Sequence, residues 1–165
     1  MNKFFIFTAL SVSLFAFHTP VVKISVLNIG SMGLKSNNIS IAIEGKKVKK
    51  SGFTSVIGAQ YAKLKSNTPN VDDYNLGELY IGFGFTKFLP AYNLSAYIMP
   101  KIYGGRISNS NTSDGEWSFT GAVGVSYHTQ NVIVGIEAET GTMKISGKDS
   151  HSRNSIGIYG GIFFK

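Results

Sequence analysis

Residues 117–127, WSFTGAVGVSY, alternate with a period of two, and that period limits the fold more than any other feature of the chain. Trp117, Phe119, Gly121, Val123, Val125 and Tyr127 share one face of an extended strand, while Ser118, Thr120, Ala122, Gly124 and Ser126 share the other. Beyond residue 20 there is no helical periodicity and no composition shift that would mark a second domain. Eight candidate strands follow instead, over about 21–29, 38–45, 52–63, 76–88, 92–103, 117–128, 131–141 and 154–164.

The joints between these strands alternate in length. SMGLKSNN, KSNTPNVDDYN, GGRISNSNTSDGE and the stretch around GKDSHSR are long and polar, whereas KKVKKS, LPAY and Thr129-Gln130 are tight. That rhythm predicts an up-and-down antiparallel meander whose ends close into an eight-stranded barrel. Its four long loops lie at one end, and its short turns and both termini at the other. Centring the fourth joint on Leu89-Pro90 places Glu78 opposite Lys101 and Tyr80 opposite Met99. Centring the sixth on Thr129-Gln130 places Gly124 opposite Gly135 and Ala122 opposite Glu137. Polar or small residues then meet their kind, and apolar residues meet apolar ones. Pro100 fits poorly, because it falls on the outward face of an inner strand and removes one ladder hydrogen bond.

Composition decides which face is expected outside. Only 15% of residues are charged, against roughly 25% in soluble domains. The mixed face offers glycines, serines, tyrosines and a few ions, which suits a narrow interior. The other face carries residues such as Ile39, Ile41, Ile43, Leu79, Ile81, Phe83, Ile98, Val123, Ile136, Ile156 and Ile158, which suit lipid. The expected fold is therefore an all-β, eight-stranded antiparallel up-and-down transmembrane β-barrel. Aromatic residues cluster at both ends of the apolar face: Phe53, Phe85, Tyr92, Tyr127 and Phe164 near the short turns, Tyr61 and Trp117 near the loops. Paired girdles of this kind mark the two membrane interfaces. A water-soluble barrel that carries a ligand inside, of the lipocalin kind, would need the opposite orientation.

The first residues, MNKFFIFTALSVSLFAFHTP, hold one early lysine and an uncharged apolar run from Phe4 to Phe17. This reads as a signal peptide over 1–16, followed by the barrel over 17–165, although a cut after Ala16 puts Leu14 where a small residue is preferred. Cysteine is absent, which excludes disulfides and thiolate metal sites. The net charge of +7 rests partly on Lys46, Lys47, Lys49 and Lys50, read as a solvated turn, and charge this sparse argues against nucleic acid as a partner.

In strand number, loop rhythm and its last strand, SIGIYGGIFFK, the sequence resembles the small outer-membrane barrels of Gram-negative bacteria. Its layout is similar to the OmpX/Ail-type and opacity-protein families and to the transmembrane half of OmpA. Lys165 departs from that pattern by following the final aromatic. The resemblance implies export, insertion by the barrel-assembly machinery, and residence in the cell outer membrane among its lipid and lipopolysaccharide. It implies no single activity.

Chemistry-bearing residues are few. Lys23, Glu44, Glu78, Lys101, Glu137 and Glu139 fall on the inward face and read as a lumenal charge network, with Glu78–Lys101 and Lys23–Glu44 as pairs. Asp149, Ser150, His151 and Ser152 invite a lipid-hydrolase reading, but they lie in a polar stretch with Arg153 where a lipid-facing His-x-Ser nucleophile would need its partner. His18, His128 and His151 are too scattered for a shared metal site. The expectation is a non-enzymatic barrel without cofactor or metal, with a structural role or an adhesion or defence role through an external ligand at its loops.

Overall fold

The computed structural model describes residues 19–30, 33–47, 51–67, 69 and 72–162. The expected signal peptide, His18, Lys49, Lys50, Phe164 and Lys165 lie outside the described residues. Eight strands form: β1 (Thr19–Ile29), β2 (Asn38–Lys46), β3 (Gly52–Leu64), β4 (Tyr74–Leu89), β5 (Leu94–Ser108), β6 (Ser113–His128), β7 (Val132–Ile145) and β8 (Ser150–Ile162). Each pairs antiparallel with its sequence neighbours, and β1 pairs with β8 from Val21↔Gly161 to Ile29↔Arg153, so the sheet closes into a barrel with no free edge.

Strand parity agrees with the alternation throughout, but two registers differ from expectation. Between β4 and β5, Glu78 faces Gly105 and Lys101 faces Gly82. The joint is longer than Leu89-Pro90: a 3-10 turn spans Pro90–Tyr92, and Asn93 closes it in the left-handed region at φ 52°. Between β6 and β7, Gly124 faces Glu137 and Gly135 faces Ser126, because the turn occupies 129–131 and is closed by the Thr129 amide donating to the Val132 carbonyl at 2.8 Å. Both shifts are even, so each residue kept its face. Pro100 is outward and opposite Gly121. On its β4 side, Gly82↔Lys101 and Phe85↔Ile98 stand in one register across it, so it interrupts the ladder without a bulge.

The expectation of four long loops is also corrected. β5 runs on to Ser108 and β8 begins at Ser150, which leaves short turns at 109–112 and 146–149. These stretches looked like loop because their outward residues are polar, yet the period of two persists with its sense reversed. Ile107, Met143 and Ile145 point inward and are buried, whereas Arg106, Thr142, Lys144 and Ser152 are outward and exposed. The strands therefore have two zones. Over most of their length apolar residues face out, with Ile39, Phe83, Ile98, Val123, Ile136 and Ile158 all 47–64% exposed. Near the loops the pattern inverts to that of a water-facing barrel, with an apolar cluster of Leu27, Ile29, Leu34, Ala62, Leu64, Leu76, Ile107, Met143 and Ile145 filling the inside.

Inward glycines make room for inward tyrosines on the neighbouring strand. Gly58 faces Tyr80, Gly124 faces Tyr97 and Gly135 faces Tyr159. A Cβ at Gly58 would come within 2.6 Å of the Tyr80 ring, one at Gly135 within 2.5 Å of the Tyr159 ring, and one at Gly124 would collide with Tyr97. Gly124→Ala should cost about 1–3 kcal/mol through overpacking. A urea titration of the folded band would measure that cost, and it should shrink in a Tyr97→Ala background if the ring is the cause.

Candidate functional site

The interior between the short turns and the apolar cluster holds a network of ions set among tyrosines and apolar side chains such as Val21, Met99 and Ile133. Lys23 on β1 reaches Glu44 Oε1 at 2.9 Å, Glu137 Oε1 at 2.9 Å and Glu139 Oε1 at 2.8 Å. Lys101 on β5 reaches Glu137 at 2.6 Å and Glu139 at 2.9 Å. Lys46, at the end of β2, reaches Glu44 Oε2 and Glu137 Oε2, both at 3.0 Å, and its ammonium lies 3.7 Å from the centre of the Tyr159 ring. Three ammonium groups thus meet three carboxylates, all nearly inaccessible to solvent. Phenols occupy remaining carboxylate lone pairs: Tyr97 donates to Glu137 and Tyr103 to Glu139, each at 2.5 Å, and Tyr80 donates to Glu44.

A second group lies nearer the loops. Arg153 on β8 grips Glu78 with both terminal nitrogens, Nη2 donating to Oε2 at 2.9 Å, and its guanidinium stacks 4.1 Å from the Tyr103 ring centre. Gln60 donates to the same carboxylate at 3.3 Å. Glu116 is buried nearby and accepts from Ser118 at 3.1 Å, while its Oε1 has no hydrogen-bond partner among the described residues.

The six expected lumenal residues are all buried on the inward face, but they do not form one cluster. Glu78 is paired with Arg153, so the expected Glu78–Lys101 pair is corrected: the longer β4–β5 turn moves Lys101 away from Glu78. Lys23 and Glu44 do meet, although Val21 is the residue opposite Glu44. Sequence reasoning missed Lys46, Arg153 and Glu116, placing them in solvated joints. Strand parity could have found them, since Lys46 shares a face with Glu44, Arg153 with Tyr159, and Glu116 with Ser118. Glu137 and Glu139 are each held by two or three lysines and do not form a free acid–base pair. Among the described residues, no three histidine or carboxylate side chains are arranged to hold a metal.

Asp149 lies in the turn, and Ser150, His151 and Ser152 belong to β8 rather than a loop. Ser150 and Ser152 are exposed on the outer face, whereas His151 is inward and half-buried opposite Met143. Alternation puts the imidazole and the hydroxyls on opposite sides of the sheet, so they cannot form a catalytic dyad.

On the outer wall, Phe53, Phe85, Tyr92 and Tyr127 are 46–69% exposed toward the short-turn end, and Tyr61 and Trp117 are each 54% exposed toward the loops. At the loop end the β1–β2 and β3–β4 connections are joined. Leu34 bridges to Ser66, the Lys35 amide donates to the Lys65 carbonyl at 2.8 Å, and the Asn67 amide donates to the Gly33 carbonyl at 2.7 Å. Asn38 ties the base, accepting from the Lys65 amide at 2.8 Å and donating to the Lys35 carbonyl at 2.7 Å. The result is a raised platform on one side of the mouth. Lys35 and Lys65 are exposed side by side on it, neither with a carboxylate within 4.0 Å among the described residues. Asp73 lies at its edge: the Ser66 amide donating to its carboxylate, with Lys63 at 3.3 Å and Lys65 close enough to act on its charge, holds it below the ordinary carboxylate range.

No family model matches the sequence, and no curated protein matches it. Solved structures do. The crystal structure of Neisserial surface protein A (NspA) superposes with a TM-score of 0.69 at 13% identity, over 90% of this chain and 98% of that one. Ail, the attachment invasion locus protein of Yersinia pestis, superposes at 0.52 and 12% identity, over 89% of this chain and 97% of that one. A second Ail structure, in complex with the heparin analogue sucrose octasulfate, gives 0.59 at 12%, over 88% of this chain and 97% of that one. Identity this low speaks to the fold, and the chain has the fold of the small eight-stranded outer-membrane β-barrels.

Proposed function

We propose that the chain is a non-enzymatic protein of the cell outer membrane, exported by residues 1–16 and inserted by the barrel-assembly machinery. There it presents the loop platform to an anionic external partner. The membrane reading draws support from the apolar outward zone and the aromatic residues at its two ends, which would lie at the interfaces as girdles. The charge network then serves as a plug, since ions removed from water need partners and an eight-stranded interior is narrow enough for side chains to fill. A soluble carrier would need an apolar cavity where this chain holds lysines and glutamates.

The observation that carries the surface role is the Lys35–Lys65 juxtaposition. Like charges held opposite one another are destabilising, and the platform's backbone bonds keep them together. A sulfated or phosphorylated partner would relieve the repulsion, and the neighbour Ail was crystallised with a densely sulfated heparin analogue. The test uses protein recovered from the outer-membrane fraction whose gel mobility changes on boiling. It should be retained on a sulfated-dextran matrix at a salt concentration that releases it from neutral dextran. Lys35→Ala with Lys65→Ala should elute at distinctly lower salt, because these contacts are electrostatic. Equal elution of wild type and double variant would remove the platform from the proposal. Recovery of the protein without detergent would remove the membrane.

A further inference from the structure

We propose that Arg106, Trp117 and Lys144 form a binding site on the outer wall for a phosphorylated glycolipid of the outer leaflet, the sugar lying on the indole and phosphate on the cations. The inference rests on the outer-membrane reading and adds a ligand that the platform does not involve.

The three residues stand on adjacent strands with their side chains outward. Trp117 on β6 faces Gly104 of β5 on one side and Lys144 of β7 on the other. Two residues further along β5 toward the loops, Arg106 is flanked by Gly77 of β4 and Gly115 of β6. Two interstrand spacings and a two-residue offset along the strand separate the cations, so Arg106 and Lys144 are attached about 12 Å apart with the indole's strand between theirs.

The wall around them is bare. A Cβ built on Gly77 or Gly104 would meet nothing within 4 Å, and one on Gly115 would meet only Ser146 Oγ, at 3.4 Å. The indole therefore stands beside open backbone, where a flat ring can lie against it. Among the described residues neither cation has a carboxylate within 4.0 Å, and Asp114, which shares the inward parity of Glu116 on β6, is taken by Lys148 at 3.0 Å.

Depth in the membrane identifies the occupant. Immediately toward the short turns, Leu79, Ile102 and Phe119 are 49–56% exposed and belong to the apolar zone. Immediately toward the loops the outward residues are polar. Trp117 marks the boundary, where an amphipathic ring has one side in hydrocarbon and one in headgroups. Guanidinium binds phosphate in a two-pronged fashion, while lysine acts as a point charge. Two cations straddling an aromatic platform at that depth match a sugar bearing phosphate, anchored by its own acyl chains.

Trp117 is the chain's single tryptophan, so its fluorescence reports on the site directly. The folded protein is placed in phosphatidylcholine bilayers and titrated with bisphosphorylated lipid A, with fully dephosphorylated lipid A, or with phosphatidylglycerol. Lipid A should shift and saturate the emission, and the other two should not. Arg106→Gln with Lys144→Gln should raise the half-saturating fraction of lipid A by about tenfold. Both side chains are exposed, so the boiling-dependent gel shift should persist in the variant. An equal response to dephosphorylated lipid A, or an unchanged double variant, would overturn the phosphate site. An equal response to phosphatidylglycerol would overturn the sugar. Brominated acyl chains in phosphatidylcholine alone separate the two readings: failure to quench Trp117 would sink the membrane assignment itself.

Discussion

Glu137→Ala should prevent the barrel from reaching its folded, boiling-sensitive form, or lower its stability by about 3–5 kcal/mol, the usual result of breaking a buried ion cluster from one side. Glu137 touches all three lysines of the lower network and accepts the Tyr97 hydroxyl as well. Without it, three buried ammonium groups share two carboxylates. Charge count and not volume should dominate, so Glu137→Gln should be nearly as damaging. Removing one cation at the same time tests this. Lys46→Met combined with Glu137→Gln restores the balance and should recover a large part of the loss, a coupling that urea titration of the four proteins of the cycle would measure. Purely additive losses would mean that the network is not held together by charge balance.

Val123→Arg should destabilise the barrel in a bilayer by about 2–4 kcal/mol, the cost of a cation near the membrane midplane. Val123 is outward, 54% exposed, and flanked across the ladders by Ile98 and Ala138. The same change at Ser152, outward on the polar zone of β8, should cost roughly 0–1 kcal/mol. Refolding yield into vesicles at graded urea gives both values. The contrast matters more than either number. In a water-facing barrel Val123→Arg would be neutral or would improve solubility, so equal tolerance at the two sites would refute a lipid-facing wall.

Much of this architecture was legible because a strand's period of two is a local property. Trp117, Val123 and Val125 could be placed on one face without knowledge of any partner strand. The register errors at both tested hairpins were even, which left the parity of Glu78, Lys101, Gly124 and Glu137 intact. The loops were less legible. RIS, SDGE, MKI and SHSR look like polar connections, since their outward residues are built for water while their inward ones, Ile107, Met143 and Ile145, are too few per strand to signal a core. The inversion becomes visible only when the short inward runs of β1, β3, β4, β5 and β7 converge.

The alternation of residue types therefore determined by itself that this chain would form strands, how many, and which side of each would be apolar over most of its length. Pairing inside the barrel was decided by tertiary structure alone. Lys23 and Glu139 lie 116 residues apart yet meet at 2.8 Å, and Glu78 finds Arg153 across the lumen instead of Lys101 on the next strand. Closure brings strands that never share a ladder into one narrow space, and turn length with strand tilt sets which levels coincide. Neither quantity is carried by the strands' own sequences, which is why the ions could be assigned to the interior but not to their partners.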